Sequence, residues 1–244
     1  MPDDPNKNLF AAITNNNIAN AVAALDAGAD VNALDNYGVP VLVRAVSKVN
    51  PEMVNMLLTR GANVNTRHRN ETVLMIAVSK DSPELVNMLL DKGADVNALG
   101  FENETALLRS IGRRNQNVVM ELLKKGADVN AADSNNGTTP LMIAADALDI
   151  NLTRMLIDYG ADRTIRNRKG QDALAVLNAM RDQPDERYRD AVRTILISYK
   201  TTPGPKGSSG PGAAAAGGAR KSRKPRKSRK TFLRMRRTRR TRRA

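Results

Sequence analysis

The side chains of this chain that could carry chemistry are few. A single histidine, His68, stands between Arg67 and Arg69, and there is no cysteine. Disulfides, thiolate zinc sites and cysteine nucleophiles are therefore excluded. A metal would have to be held by carboxylates alone. The aspartates Asp30, Asp95, Asp128 and Asp162 recur with a period of about 33 residues, which reads as turn-forming hydrogen bonding rather than ligation. No phosphate-binding loop, Gly-rich dinucleotide loop, Ser-His-Asp set or paired-carboxylate arrangement stands out. The chain is read as non-catalytic, with no cofactor, no metal and no small-molecule substrate. The chemistry that remains is ionic. Arg220, Lys221, Arg223, Lys224, Arg226, Lys227, Arg229, Lys230, Arg234, Arg236, Arg237, Arg239, Arg240, Arg242 and Arg243 put 15 cations into the last 25 residues.

That charge is not shared by the rest of the chain. Residues 201–244 hold 16 of the 39 Lys/Arg and none of the 25 Asp/Glu. Residues 1–200 are left nearly neutral, with 23 basic against 25 acidic residues. The split predicts two functional parts. Aromatics make up only 3% of the chain, with no tryptophan, so a core must be built from Ala, Val, Leu, Ile and Met. Residues this small suit thin layers of closely packed helices. The acidic N-terminus has no long apolar run and does not read as a secretory signal. No stretch reaches the 18 or so apolar residues of a membrane span, and an intracellular location is expected.

The elements that position these groups repeat. GADVNA, or a close variant, begins at Gly28, Gly61, Gly93, Gly126 and Gly160, each time after an apolar run such as VNMLLTR or VMELLKK. Ten to twelve residues later comes a second signal: PVLVRA, TVLMIA, TALLRS, TPLMIA and DALAVL. Thr72, Thr105 and Thr139 suit helix N-caps, Pro140 suits a first helical turn, and each repeated Gly suits a left-handed residue just past a helix end. The period and the two signals resemble the ankyrin repeat, in which TPLHxA opens an inner helix and GADVN follows an outer one. The resemblance covers about residues 5–199. It implies an all-α solenoid of about six helix-turn-helix units, near 5–34, 35–66, 67–99, 100–132, 133–166 and 167–199, forming a domain over 1–200. The first and last units read as caps, the last showing a polar outer face through Glu186, Arg187, Arg189, Asp190 and Arg193. The motif's histidine is absent throughout. Val43, Met75, Leu108, Met142 and Ala175 stand in its place, so apolar packing is expected there.

The resemblance also implies where a partner binds: a concave face of turn tips and inner helices. The tips carry Asn36, Tyr37 and Val39; Arg67, His68 and Arg69; Phe101 and Glu102; Asn135 and Asn136; and Arg166, Arg168 and Lys169. Lys48, Lys80 and Arg113 are expected on the inner helices, with Ser47, Ser79, Arg114, Asp146 and Arg181. This face reads as locally basic, which favours a protein partner with an acidic surface. Tyr37 and Phe101 are candidate hot spots. The alternative for Phe101 is to fold back on its own repeat, where LGFENE lacks the usual Asp/Gly turn.

Residues 201–219 are Gly/Pro/Ala/Ser-rich and read as a flexible linker with a span of roughly 22–26 Å. The basic run at 220–244 is expected to be disordered through self-repulsion. KSRKPRKSRK resembles a nuclear-localisation signal, and the run through RRTRRTRR resembles arginine-rich nucleic-acid-binding segments. Either role, or solvation alone, fits the same residues. The tail further resembles the basic C-termini of proteins of large DNA viruses. The leading expectation is a protein-binding scaffold whose tail provides nuclear targeting or nucleic-acid attachment. The alternative is a non-specific nucleic-acid-binding or compacting protein in which the tail is the main element.

Overall fold

The computed structural model describes residues 4–179 and 186–198. The linker at 201–219, the basic tail at 220–244 and Arg181 lie outside the described residues. Within them the chain is an all-α solenoid of helix pairs. Inner helices are α1 (Pro5–Thr14), α3 (Val41–Ser47), α5 (Val73–Ser79), α7 (Ala106–Gly112), α9 (Pro140–Asp146) and α11 (Ala173–Ala179). Outer helices are α2 (Ile18–Asp26), α4 (Pro51–Thr59), α6 (Pro83–Asp91), α8 (Gln116–Lys124), α10 (Ile150–Asp158) and α12 (Glu186–Ser198). Each inner helix packs on the inner helices of adjoining units.

The local chemistry explains each boundary. The hydroxyls of Thr72, Thr105 and Thr139 accept the N–H groups of Met75, Leu108 and Met142 at 3.2–3.4 Å, capping α5, α7 and α9. The outer helices start on Asn17, Asn50, Ser82, Asn115 and Asp149, whose side chains each accept an N–H three residues on. They end at Gly28, Gly61, Gly93, Gly126 and Gly160, with φ between +85° and +95°. At Gly61 the closing pattern is complete: the Ala62 N–H reaches the Leu57 carbonyl at 3.0 Å, as in a Schellman motif.

Inner helices end in the same left-handed turn without glycine. Asn16, Val49, Asp81, Arg114 and Leu148 hold φ of +54° to +58°. For a β-branched side chain this region is strained by about 1–2 kcal/mol. Val49 is 43% exposed and gives little packing in return. Val49→Gly or Val49→Asn is expected to raise stability by about 1 kcal/mol, seen as a melting temperature about 2–4 °C higher. An unchanged or lowered midpoint would contradict the strain.

The core is one continuous cluster along the stack, led by Leu9, Ile13, Met53, Leu57, Leu74, Leu85, Leu89, Leu107, Leu122 and Leu141. At the motif-histidine position Val43, Met75, Leu108 and Met142 are buried, and Ala175 is half-buried. The units are tied instead by asparagines. The Oδ1 atoms of Asn6, Asn32, Asn65, Asn97 and Asn130 accept the N–H of Asp30, Asn63, Asp95, Asp128 and Asp162 in the next turn, at 2.7–2.8 Å. Asn32, Asn65 and Asn97 also donate Nδ2–H to the carbonyls of Gly61, Gly93 and Gly126, at 3.0–3.5 Å. The repeated aspartates hold their own turns, each carboxylate accepting the N–H two residues ahead.

Candidate partner-binding face

The turns between units project as fingers from the inner helices, and five of them are described. Finger 2 turns through Asp35–Gly38, with Gly38 at φ +70°. Finger 3 is a two-residue hairpin pairing β1 (Arg67–His68) with β2 (Glu71–Thr72). This is the departure from a purely helical reading. Its turn residues, Arg69 and Asn70, both have positive φ, the geometry that matches strand twist in a tight hairpin. Finger 4 makes a similar turn, with Glu102 and Asn103 at φ +54° and +57° and the Glu104 N–H closing on the Phe101 carbonyl at 3.0 Å. Thus left-handed Glu102 and Asn103 supply the turn that LGFENE lacks in Asp/Gly chemistry.

Fingers 4, 5 and 6 are laced together by backbone. The Ser134 N–H donates to the Glu102 carbonyl at 2.7 Å, and the Arg168 N–H donates to the Asn136 carbonyl at 2.8 Å. Between fingers 4 and 5 lies a cavity of about 410 Å³ that brings together Phe101, Glu102, Asn135 and Asn136 with Leu108 and Ile143. The next, about 500 Å³, lies between units 5 and 6 and adds Lys169, Met142 and Val176. Tyr37, Arg67, Arg69, Arg166 and Arg168 are exposed finger residues outside these cavities, and Asn36 lines a smaller one beside α1. Val39 and His68 are half-buried. Lys48, Lys80 and Arg113 are exposed at the C-caps of α3, α5 and α7. Tyr37 is 82% exposed and Phe101 63%, so Phe101 does not fold away into its own repeat.

Two carboxylates organise the fingers. Asp35 accepts the N–H groups of Tyr37 and Val39 at 2.9 Å and pairs with Arg44. Asp133 accepts the N–H groups of Asn135, Asn136 and Thr138 at 2.6–2.9 Å. Burial pushes both acids upward, but these hydrogen bonds outweigh it and hold both below the ordinary aspartate value. A depressed folded pKa stabilises the fold above the unfolded pKa of about 4 and is lost as pH falls through the folded value. Asp35→Asn with Asp133→Asn is therefore expected to flatten the stability loss below about pH 4. Urea midpoints measured from pH 3 to 7 check this; an acid limb as steep as in wild type would refute it.

One half-buried cation was not visible as such in the sequence. Arg109, on α7, has a side chain only 13% exposed. It meets Glu71 of unit 3 at 2.6 Å and Glu104 of its own finger at 2.5 Å, and donates to the Ser79 hydroxyl at 3.0 Å. Burial alone would lower its pKa; the hydrogen bonds to Glu104 and Glu71 raise it further than burial lowers it. Among the described residues no cluster of His, Cys, Asp or Glu suited to a metal ion occurs, and no helix is long and apolar enough to cross a membrane.

Stacked helix pairs, left-handed turn glycines and a row of fingers define a repeat protein of the solenoid class. The family model for ankyrin repeats (3 copies) matches residues 9–99 and again 99–167. The chain belongs to the ankyrin-repeat family. It is 34% identical over 74 residues to "Ankyrin repeat, SAM and basic leucine zipper domain-containing protein 1" of Neofelis nebulosa, a match covering 30% of this chain and 16% of that protein. The repeats make this a protein–protein interaction domain.

Proposed function

We propose that this chain is a non-catalytic scaffold that captures a protein partner on the face of fingers and inner helices. The observation that carries the reading is the exposure of Tyr37 and Phe101 on finger tips, in a chain with seven Phe and Tyr in all and no tryptophan. Aromatic side chains left in water at an otherwise polar rim match the composition of interface hot spots. Arg67 and Arg69 on a finger, and Lys48, Lys80 and Arg113 at inner-helix C-caps, are exposed cations, which favours an acidic stretch on the partner. The basic run at 220–244 delivers the assembly to the nucleus or holds it on nucleic acid.

The test is affinity capture with the full chain against Tyr37→Ala/Phe101→Ala/Arg67→Glu/Arg69→Glu. All four positions are exposed, so circular dichroism should be unchanged. The captured partners should be lost; retention of the same set would place the interface elsewhere. A second reading rests on the 15 cations of the tail: non-specific nucleic-acid binding as the main role. Phosphate neutralisation by that many cations gives affinity that falls steeply with salt. Replacing the tail's Lys and Arg by Gln separates the two. The scaffold reading expects the partner set to survive and nuclear accumulation or DNA retention to fail.

A further inference from the structure

The finger face carries one device in units 2 and 4 and half of it in unit 5; in unit 3 the arginine position is Ile76, which is buried, and the finger acid Glu71 is taken by Arg109. In unit 2 the outward residue of the inner helix is Arg44, and its guanidinium is taken by Asp35 of the same finger. In unit 4 the equivalent residue is Arg109, taken by Glu104 and Glu71. In unit 5 the finger keeps its acid, since Asp133 occupies the place of Asp35 and closes the same kind of turn. The helix position opposite, however, holds Ile143, not arginine.

The missing side chain leaves room. Cavities of about 410, 500 and 650 Å³ all share Ile143 as a wall. Their apolar lining comes from Phe101, Leu108, Met142, Ile143 and Val176. At the rim, Glu102 and Asp146 are exposed and have no ion-pair partner among the described residues. The cations of the rim, Lys169 and Arg114, each line only one of the three cavities, Lys169 toward finger 6 and Arg114 at the helix-turn end. The groove is thus apolar below and anionic above, beside a half of the face where Lys48, Lys80 and Arg113 project.

We infer that this groove receives an arginine of the partner, carried on an apolar segment, in the place that Arg44 and Arg109 hold in their own units. The arginine stem lies on Ile143 and its guanidinium meets Glu102 and Asp133, which line one cavity with Ile143, while Asp146 adds negative charge from the adjoining cavity. A guanidinium suits the site better than an ammonium because its fork can take two carboxylate oxygens at once, as Arg109 does across two glutamates. The inference rests on the finger face being the binding face. It makes the partner bipolar: acidic where it meets Lys48, Lys80 and Arg113, and apolar with arginine where it crosses the groove at Ile143.

The test restores the missing half. Ile143→Arg in the full chain should fold, since Arg44 and Arg109 show that the helix position accepts arginine, and its melting temperature should not fall. The probe is a fluorescein-labelled decapeptide with arginine and leucine alternating at its centre, followed by anisotropy; the chain's basic tail repels it. Binding to wild type should weaken at least about tenfold, or about 1.4 kcal/mol, in Ile143→Arg, where the site is filled from within. It should weaken similarly in Glu102→Gln/Asp146→Asn, where the charge is removed without altering size. A lysine-for-arginine peptide should bind more weakly than the arginine one. Absence of binding to wild type, or equal binding to all three proteins, overturns the inference. A separate variant, Lys48→Glu/Lys80→Glu/Arg113→Glu, distinguishes this from failure of the scaffold reading. If captured partners are lost in it while the arginine peptide never binds, the face stands and the arginine pocket falls.

Discussion

Replacing Asn65 and Asn97 together by alanine is expected to cost about 3 kcal/mol and to spoil the cooperativity of unfolding. Each side chain makes two bonds across a junction. Asn65 accepts the Asp95 N–H at 2.8 Å and donates to the Gly93 carbonyl at 3.5 Å; Asn97 does the same with Asp128 at 2.7 Å and Gly126 at 3.0 Å. A net intramolecular hydrogen bond contributes about 0.5–1.5 kcal/mol, and the longer donations lie at the low end. The sites are solvent-accessible, so water replaces part of each lost bond, which keeps the estimate near 1.5 kcal/mol per residue. The second effect comes from topology. In a stack that contacts only its neighbours, stability is a sum of unit and junction terms, so weakening two successive junctions lets the ends unfold apart. Urea unfolding followed by circular dichroism should show a lower midpoint and a lower apparent slope. A double variant within about 0.5 kcal/mol of wild type, with the same slope, would mean that apolar packing alone joins the units.

Arg109→Ala is expected to cost about 2 kcal/mol. Removing one partner of a fully buried ion pair costs about 3–5 kcal/mol. Here the glutamates left behind are 38% and 36% exposed, and they regain water. The loss is therefore smaller but still exceeds that of a surface pair, for which about 0–1 kcal/mol is usual. The cause is separable. If the penalty is the two unpaired carboxylates, Arg109→Met with Glu71→Gln and Glu104→Gln should recover most of the stability, because no charge is left stranded. If the triple variant is as unstable as Arg109→Ala, the contribution is the ion-paired hydrogen bonds themselves, because methionine restores the stem packing and no charge is left stranded. Thermal melts of the three proteins at equal ionic strength decide between them.

The architecture was legible from five copies of GADVN and the apolar runs before them, because glycine past a helix end and threonine before one carry a conformational signal of their own. The inner helix ends were not. A valine at 49 or a leucine at 148 gives no sign of positive φ, and only the pressure to keep the helix pair closed puts it there. The candidate face was legible in part. Phe101, Glu102, Asn135 and Asn136, expected there as tip residues, do gather around one cavity. Its floor was not foreseen, because Ile143 has the spacing of a core residue, and periodicity does not separate a half-covered isoleucine from a buried one. The charge of the face was read by adding side chains. Arg44 and Arg109 are neutralised within the fold by Asp35, Glu104 and Glu71, pairings between residues up to 38 positions apart, and Glu102 and Asp133 line one cavity on the face.

The asparagine joints between the units are chemically alike, so as far as those bonds are concerned any unit could follow any other. The Glu71–Arg109 contact is different, because it exists only where unit 4 follows unit 3. The stack therefore carries interchangeable couplings and keyed ones, since Arg60 also reaches Asp26 at 2.8 Å, Lys125 reaches Asp91 at 2.7 Å and Gln116 donates to Asp149 at 3.1 Å across junctions. A chain with its inner units shuffled would still join end to end through its asparagines, but wherever unit 4 had lost unit 3 as its neighbour, Arg109 would have to make do with Glu104. Order along the stack is thus written into a few unlike side-chain pairs, the arginine and its two glutamates the best covered of them, and the sequence of side chains offered to a partner is held in order by them.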